Sequence, residues 1–127
     1  MGPHFDVTGA LDMHAHCGPE GIPRRYDAMQ MARHAQEFGL RSIVMKSHFT
    51  DTSAWAQMAY TETGMRLGGA ITLNHYVGGL NPMAVRAALG PRDDKGAFLK
   101  VVWVPTVHAD SHICVHCAAG EDRKSVV

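Results

Sequence analysis

Short apolar runs alternate with longer amphipathic stretches along the 127 residues. Ala10-Leu-Asp-Met-His14 predicts a first strand. The stretch 27–38 (DAMQMARHAQEF) puts Ala28, Met31, Ala32, Ala35 and Phe38 on one stripe at helical spacing, and Gly39 is a natural stop. Ser42-Ile-Val-Met-Lys46 predicts a second strand. A second helix over 52–63 follows, with Asp51 or Thr52 placed to cap it and Gly64 to end it. Gly69-Ala-Ile-Thr-Leu73 predicts a third strand, and Asn81-Pro82 opens a third helix reaching Leu89. After a turn-rich connection over 90–96, the β-branched run from Leu99 to Val104 predicts a fourth strand.

The order is βαβαβαβ, an α/β pattern whose strands are expected to be parallel and covered on both faces. Strand ends near His14, Lys46, Asn74 and Thr106 are 32, 28 and 32 residues apart, which suits one βα unit per repeat. Eight such units close a (β/α) barrel of about 250 residues, so the pattern predicts about four βα units, the N-terminal half of a TIM-like barrel. A complete four-stranded doubly wound sheet is the competing architecture. The last six residues, Asp122-Arg-Lys-Ser-Val-Val127, continue none of this pattern and resemble the translation of a sequencing adapter. The expectation is a domain over 1–121, a non-native tail over 122–127, and a natural chain that continues.

Lysines and arginines balance aspartates and glutamates, for a net charge of zero. No basic excess offers a footprint for phosphate backbones, so nucleic acid is not the expected partner. No apolar run reaches membrane-spanning length. The start lacks a basic segment followed by an apolar one, so no signal peptide is expected. Three cysteines (Cys17, Cys114, Cys117) make no disulfide framework, and a reducing, cytoplasmic compartment is the expectation.

Nine histidines match all Phe, Trp and Tyr residues together in number, and their placement carries the chemistry. His14 and His16 are two apart at the end of the first strand, hence on one side of it, with Asp12 below. Such a His-x-His pair suits Zn²⁺ and related borderline metals. Lys46 and His48 repeat the spacing on the second strand. A Lys there needs a partner, because desolvation disfavours its charge; it suits an anionic substrate, support of a metal ligand, or a carbamate. His108, two residues beyond Thr106, repeats the pattern on the fourth strand. Each of these residues also has an ordinary reading, as a polar side chain where a strand leaves the core. Each of the four predicted strands, the third included with His75, has a histidine within a few residues of its C-terminal end, the edge where such folds assemble sites, and that favours the functional reading. No role is readable for His75, His112, Cys114, His116 and Cys117.

DMHAHCGPE (12–20), VMKSHF (44–49), LNHYVGGLNP (73–82) and VVWVPTVHADSH (101–112) together resemble the amidohydrolase-like metal-dependent hydrolases, with features of the polymerase-and-histidinol-phosphatase barrels. The resemblance implies a barrel with a divalent metal at its C-terminal mouth. His14 and His16 carry over as ligands, with His48 and His108 as further ones. Lys46, on the second strand whereas these hydrolases place a lysine or glutamate on the fourth, is expected as a catalytic residue that contacts substrate or supports the site. Zn²⁺ is the first expectation, and Mn²⁺, Fe²⁺ or Ni²⁺ also suit histidine-rich ligation. The implied reaction is cleavage of an amide, ester, lactone or phosphoester in a small molecule by a metal-activated water. The alternative is a non-catalytic metal-binding α/β domain. As half of a barrel, the chain is expected to self-associate and to be inactive alone.

Overall fold

Leu11–His16 forms β1, Ser42–Lys46 forms β2, Gly69–Thr72 forms β3 and Leu99–Trp103 forms β6. The structure, a computed structural model, describes residues 5–118. The tail over 122–127, His4, and the side chains of His116 and Cys117 lie outside the described residues. Strands β1 and β2 pair in parallel, as do β3 and β6. A parallel bridge from Val44 to Gly68 joins β2 to the start of β3, held by Met45 N–H on the Gly68 carbonyl (2.8 Å) and Gly68 N–H on the Ile43 carbonyl (2.9 Å). Four short parallel strands therefore lie side by side in chain order. Among the described residues they do not close into a barrel.

Helix α1 (Ala28–Glu37) begins where the sequence predicts. The Asp27 carboxylate accepts from Gln30 N–H while the Gln30 side chain accepts from Asp27 N–H, which satisfies two of the free donors at the helix start. Helix α2 (Ser53–Thr63) ends at Gly64, whose φ of +73° is the left-handed conformation of a helix stop. Thr52 does not cap α2 with its side chain. Its hydroxyl instead bonds the Met45 and Ala70 carbonyls beneath the helix, and Asp51 takes the N–H and hydroxyl of Ser53. A 3-10 turn (His75–Val77) and helix α3 (Pro82–Ala88), capped by Asn81, follow β3. The turn-rich stretch folds as a small antiparallel hairpin, β4 (Arg92–Asp93) with β5 (Gly96–Ala97). The sequence reading assigned no element after the fourth strand, but Asp110–Ala118 forms α4 with Asp110 in its first turn.

The main core lies between the strands and helices α1 and α2, around Ala28, Met31, Ala32, Ala35, Ile43, Met45, Ala56, Ala59, Leu67 and Phe98. A smaller one joins Ile71, Leu73 and Leu99 to Ala88 of α3. Odd-numbered β2 residues face this helical side, leaving Ser42, Val44, Lys46 and His48 on the other. No helix among the described residues is long and apolar enough to cross a membrane.

Candidate functional site

The two histidines at the end of β1 converge. Their Nε2 atoms are 3.2 Å apart. The register slips between Asp12 and Ala15, where β1 carries one more residue than β2, so β1 bulges beside His14. That bulge also corrects the place expected for Asp12. Its carboxylate folds back to accept from His14 N–H (2.8 Å) instead of standing below the pair.

His48 joins this pair, with its ring centroid 4.7 Å from that of His16. Its Nδ1 is 2.9 Å from Thr106 Oγ1 on the segment after β6. Asn74, fully buried at the end of β3, holds both segments. Its amide donates to the His48 carbonyl (3.0 Å) and to Thr106 Oγ1 (3.3 Å), and its carbonyl oxygen accepts from Thr106 N–H (2.8 Å). Strand-end spacing singled out Thr106 only as a neighbour of His108. Its place two residues before a histidine was the available signal for a residue on the site's face.

His108 belongs to an adjoining group. Its ring stacks on His75 at 4.5 Å and meets Tyr76 at 4.7 Å, and Tyr76 stacks on Phe49 at 4.8 Å. His108 Nδ1 accepts from His75 N–H (3.2 Å), so in the neutral ring Nε2 carries the proton. The structure thus brings His14, His16, His48 and Lys46 together and sets His108 beyond the Asn74–Thr106 clamp.

Lys46 is 4% exposed, and its ammonium lies 4.8 Å from the centre of the Trp103 ring. That ring is also 5.2 Å from His14. Trp103 gave no sequence signal, since a tryptophan in an apolar strand reads as core. Arg24 and Glu20 were missed as well, and their signal was the i, i+4 spacing of opposite charges in the segment after β1. Glu20, whose side chain is fully buried, pairs with Arg24 and takes the Ser47 hydroxyl. Arg24 Nη2 in turn reaches His16 Nδ1 at 3.3 Å.

Burial and neighbouring positive charge disfavour protonation of His16, His48 and His108. His16 is pushed down to about 4, first by burial and then by Arg24, His48, His14 and Lys46. Burial, then Lys46, lowers His48, and burial lowers Lys46. His108 is lowered by burial and by His75 and His112. Neutral imidazole is the form that binds metal.

Two nitrogens on one tetrahedral zinc at about 2.05 Å stand about 3.3 Å apart, so the 3.2 Å His14–His16 separation fits one edge of such a site. Thr106 suits a ligand role for His48, because its hydroxyl can accept a hydrogen bond from Nδ1–H and leave Nε2 open. Two observations run the other way. Among the described residues, no three His, Cys, Asp or Glu side chains are grouped closely enough to hold an ion as they stand. Arg24 also has no acceptor, so its contact with Nδ1 puts the His16 proton on Nε2, facing His14.

Residues 9–126 match the model of a family of unknown function (DUF6282). No curated protein and no solved structure matches the chain.

Proposed function

Because the chain belongs to this family of unknown function, DUF6282, we propose its activity from the site itself: a metal-dependent hydrolase whose first two strands supply the metal ligands. The 3.2 Å approach of His14 and His16 Nε2 at the C-terminal edge of parallel strands carries the reading. His14 and His16 would hold the ion, with His48 turning in as a third ligand from its Thr106 anchor. His108 enters as an Nε2–H donor toward substrate. Zn²⁺ suits this set best, and Mn²⁺, Fe²⁺ or Ni²⁺ would be accepted by the same imidazoles. The ion, when bound, supplies Lewis-acid activation of water and of the amide, ester, lactone or phosphoester under attack. Lys46 contacts the small-molecule substrate, and the Asn74–Thr106 clamp fixes His48 relative to it.

The half-barrel architecture belongs to the same proposal. Four parallel strands in chain order, with one helical side and one concave histidine-bearing side, suit the first four βα units of a (β/α) barrel. A second reading, a metal-binding α/β domain without catalysis, draws on one observation: Glu20, the carboxylate reaching the cluster, is held by Arg24 and Ser47 and is not placed to act as a base.

Calorimetric titration of Zn²⁺ into chelator-stripped protein tests the ligand assignment. Binding lost in the His14→Ala/His16→Ala variant, with an unchanged circular dichroism spectrum, supports it, and metal retained by that variant sinks it. Hydrolysis assays on amide, ester, lactone and phosphoester substrates then separate the two readings. Zinc bound without turnover of any of them favours the non-catalytic domain.

A further inference from the structure

Two buried polar groups and a buried lysine gather at the end of the β3–β6 pair, near His14. Among the described residues, two buried side-chain polar atoms lack any hydrogen-bond partner, Thr72 Oγ1 and Trp103 Nε1. Thr72 and Trp103 are partners in the β3–β6 register, so they leave the sheet on the same side. Over the Trp103 ring lies the Lys46 ammonium, from a side chain 4% exposed. The partly buried cations Arg24 and Arg66 each hold a carboxylate, Glu20 and Asp93. Among the described residues Lys46 forms no ion pair, and its ammonium rests on the indole ring.

These groups share one chemical need. An ammonium and an indole N–H only donate, and a threonine hydroxyl can donate. A ligand that satisfies all three is an acceptor with negative charge. We propose that Lys46, Trp103 and Thr72 form an oxyanion subsite that takes the carboxylate or phosphate group of the substrate. The inference rests on the reading of this strand edge as the reaction site and adds the substrate's class, an anionic small molecule. The surroundings agree in charge, since the Glu20 carboxylate is taken up by Arg24 and the Ser47 hydroxyl. His14, 5.2 Å from the Trp103 ring, places the subsite beside the proposed ligands.

The test uses the two tryptophans of the chain, Trp55 and Trp103, as separate reporters. In ¹⁵N-labelled, chelator-treated protein, the indole N–H resonances are followed while inorganic phosphate, or separately acetate, is added at constant ionic strength. Trp103→Phe assigns the two signals. The expected result is a saturable shift of the Trp103 signal with Trp55 unmoved. Affinity should fall at least tenfold in Lys46→Met, as loss of a charge-assisted bond implies, and roughly threefold or more in Thr72→Val.

Response to phosphate alone identifies a tetrahedral anion, and response to acetate a carboxylate. A Trp103 signal unmoved by either at concentrations on the order of tens of millimolar overturns the subsite. So does an equal response in Lys46→Met, or in Thr72→Val should Lys46→Met not fold. With metal stripped, this failure is distinguishable from that of the hydrolase reading. Zinc binding by His14 and His16 with no anion response sinks the subsite alone, and anion response without zinc binding sinks the metal assignment alone.

Discussion

His14 and Trp103 stand on the two edge strands of the parallel array, yet their ring centroids are 5.2 Å apart. Three inter-strand steps separate β1 from β6, roughly 14 Å on a flat sheet. The side chains therefore meet by converging over a curved, concave face. That curvature brings β1 histidines, the β2 lysine and the β6 indole into one site. It also leaves apolar groups of the edge strands uncovered: Leu11, Met13, Val102 and Val104 are all exposed.

Acid should destabilise the fold through His16. Its folded-state value of about 4 lies below the 6.5 of a free histidine. Between those values the unfolded chain binds a proton that the folded chain does not. The contribution is complete above pH 6.5 and is lost as pH falls toward 4. Melting temperature should drop between pH 7 and 4.5, with His16 accounting for on the order of 5 °C after allowance for its partial exposure. Melting curves of wild type and His16→Gln across this range check it. Parallel pH profiles for the two proteins would remove His16 as the cause.

Asn74→Ala should destabilise by about 2–3 kcal/mol. The amide makes three hydrogen bonds from a fully buried position, tying the ends of β2 and β3 to the segment after β6. Removing it leaves the His48 carbonyl and Thr106 N–H without these partners, and no alanine contact replaces them. Urea unfolding measures the loss. A change within about 0.5 kcal/mol, typical of an ordinary surface position, would mean that the clamp does not hold the site.

Two glycines should respond very differently to alanine. A Cβ at Gly69 would lie 2.4 Å from Ser53 Cα and 2.7 Å from Ser53 N. Those are backbone atoms at the start of α2, and Ser53 is itself fixed by its hydroxyl on the Ala88 carbonyl. The helix must move, at a cost of about 3 kcal/mol or more. At Gly64 a Cβ meets nothing within 4 Å, and only the positive φ of +73° is strained, costing about 1 kcal/mol. Comparable unfolding midpoints for the two variants would contradict the close packing of α2 on β3.

The four parallel strands were legible as short apolar runs and the first three helices from their spacing and end signals, whereas the small β4–β5 hairpin was not. Of the α1 stripe, Ala28, Met31, Ala32 and Ala35 are buried as their spacing predicts, but Phe38, expected on the same stripe, falls at the C-cap, past the last turn, and is exposed. His14 and His16 were legible by their spacing of two, although the bulge at His14 was not. A bulge depends on the partner strand's register, which one strand's residues do not encode. Glu20 with Arg24 offered a spacing of opposite charges that went unread, and Thr72 with Trp103 offered none, for a different reason. They are polar groups whose role comes from what stands opposite them, and only the fold supplies that.

The contact between Arg24 and His16 sets the last prediction, because it opposes metal binding as the side chains stand. His16 Nδ1 faces Arg24 Nη2 at 3.3 Å, and a guanidinium donates only. The His16 proton therefore sits on Nε2 between the two rings, at the atom a metal would need. To ligate through Nε2, His16 must carry its proton on Nδ1, and that proton needs an acceptor where Arg24 now stands. Replacing Arg24 alone would strand the buried Glu20 carboxylate, at a cost of about 3 kcal/mol or more. The informative variants are therefore Glu20→Gln/Arg24→Gln and Glu20→Gln/Arg24→Met. Both remove the ion pair and the nearby cation, but only the Gln at position 24 offers a carbonyl to accept from Nδ1. The Gln variant should bind Zn²⁺ at least tenfold more tightly than the Met variant, the usual size of an outer hydrogen-bond effect on a ligating histidine. Calorimetry on the pair decides it. Equal affinities would mean that the guanidinium acts by charge alone and that the His16 tautomer does not gate the site.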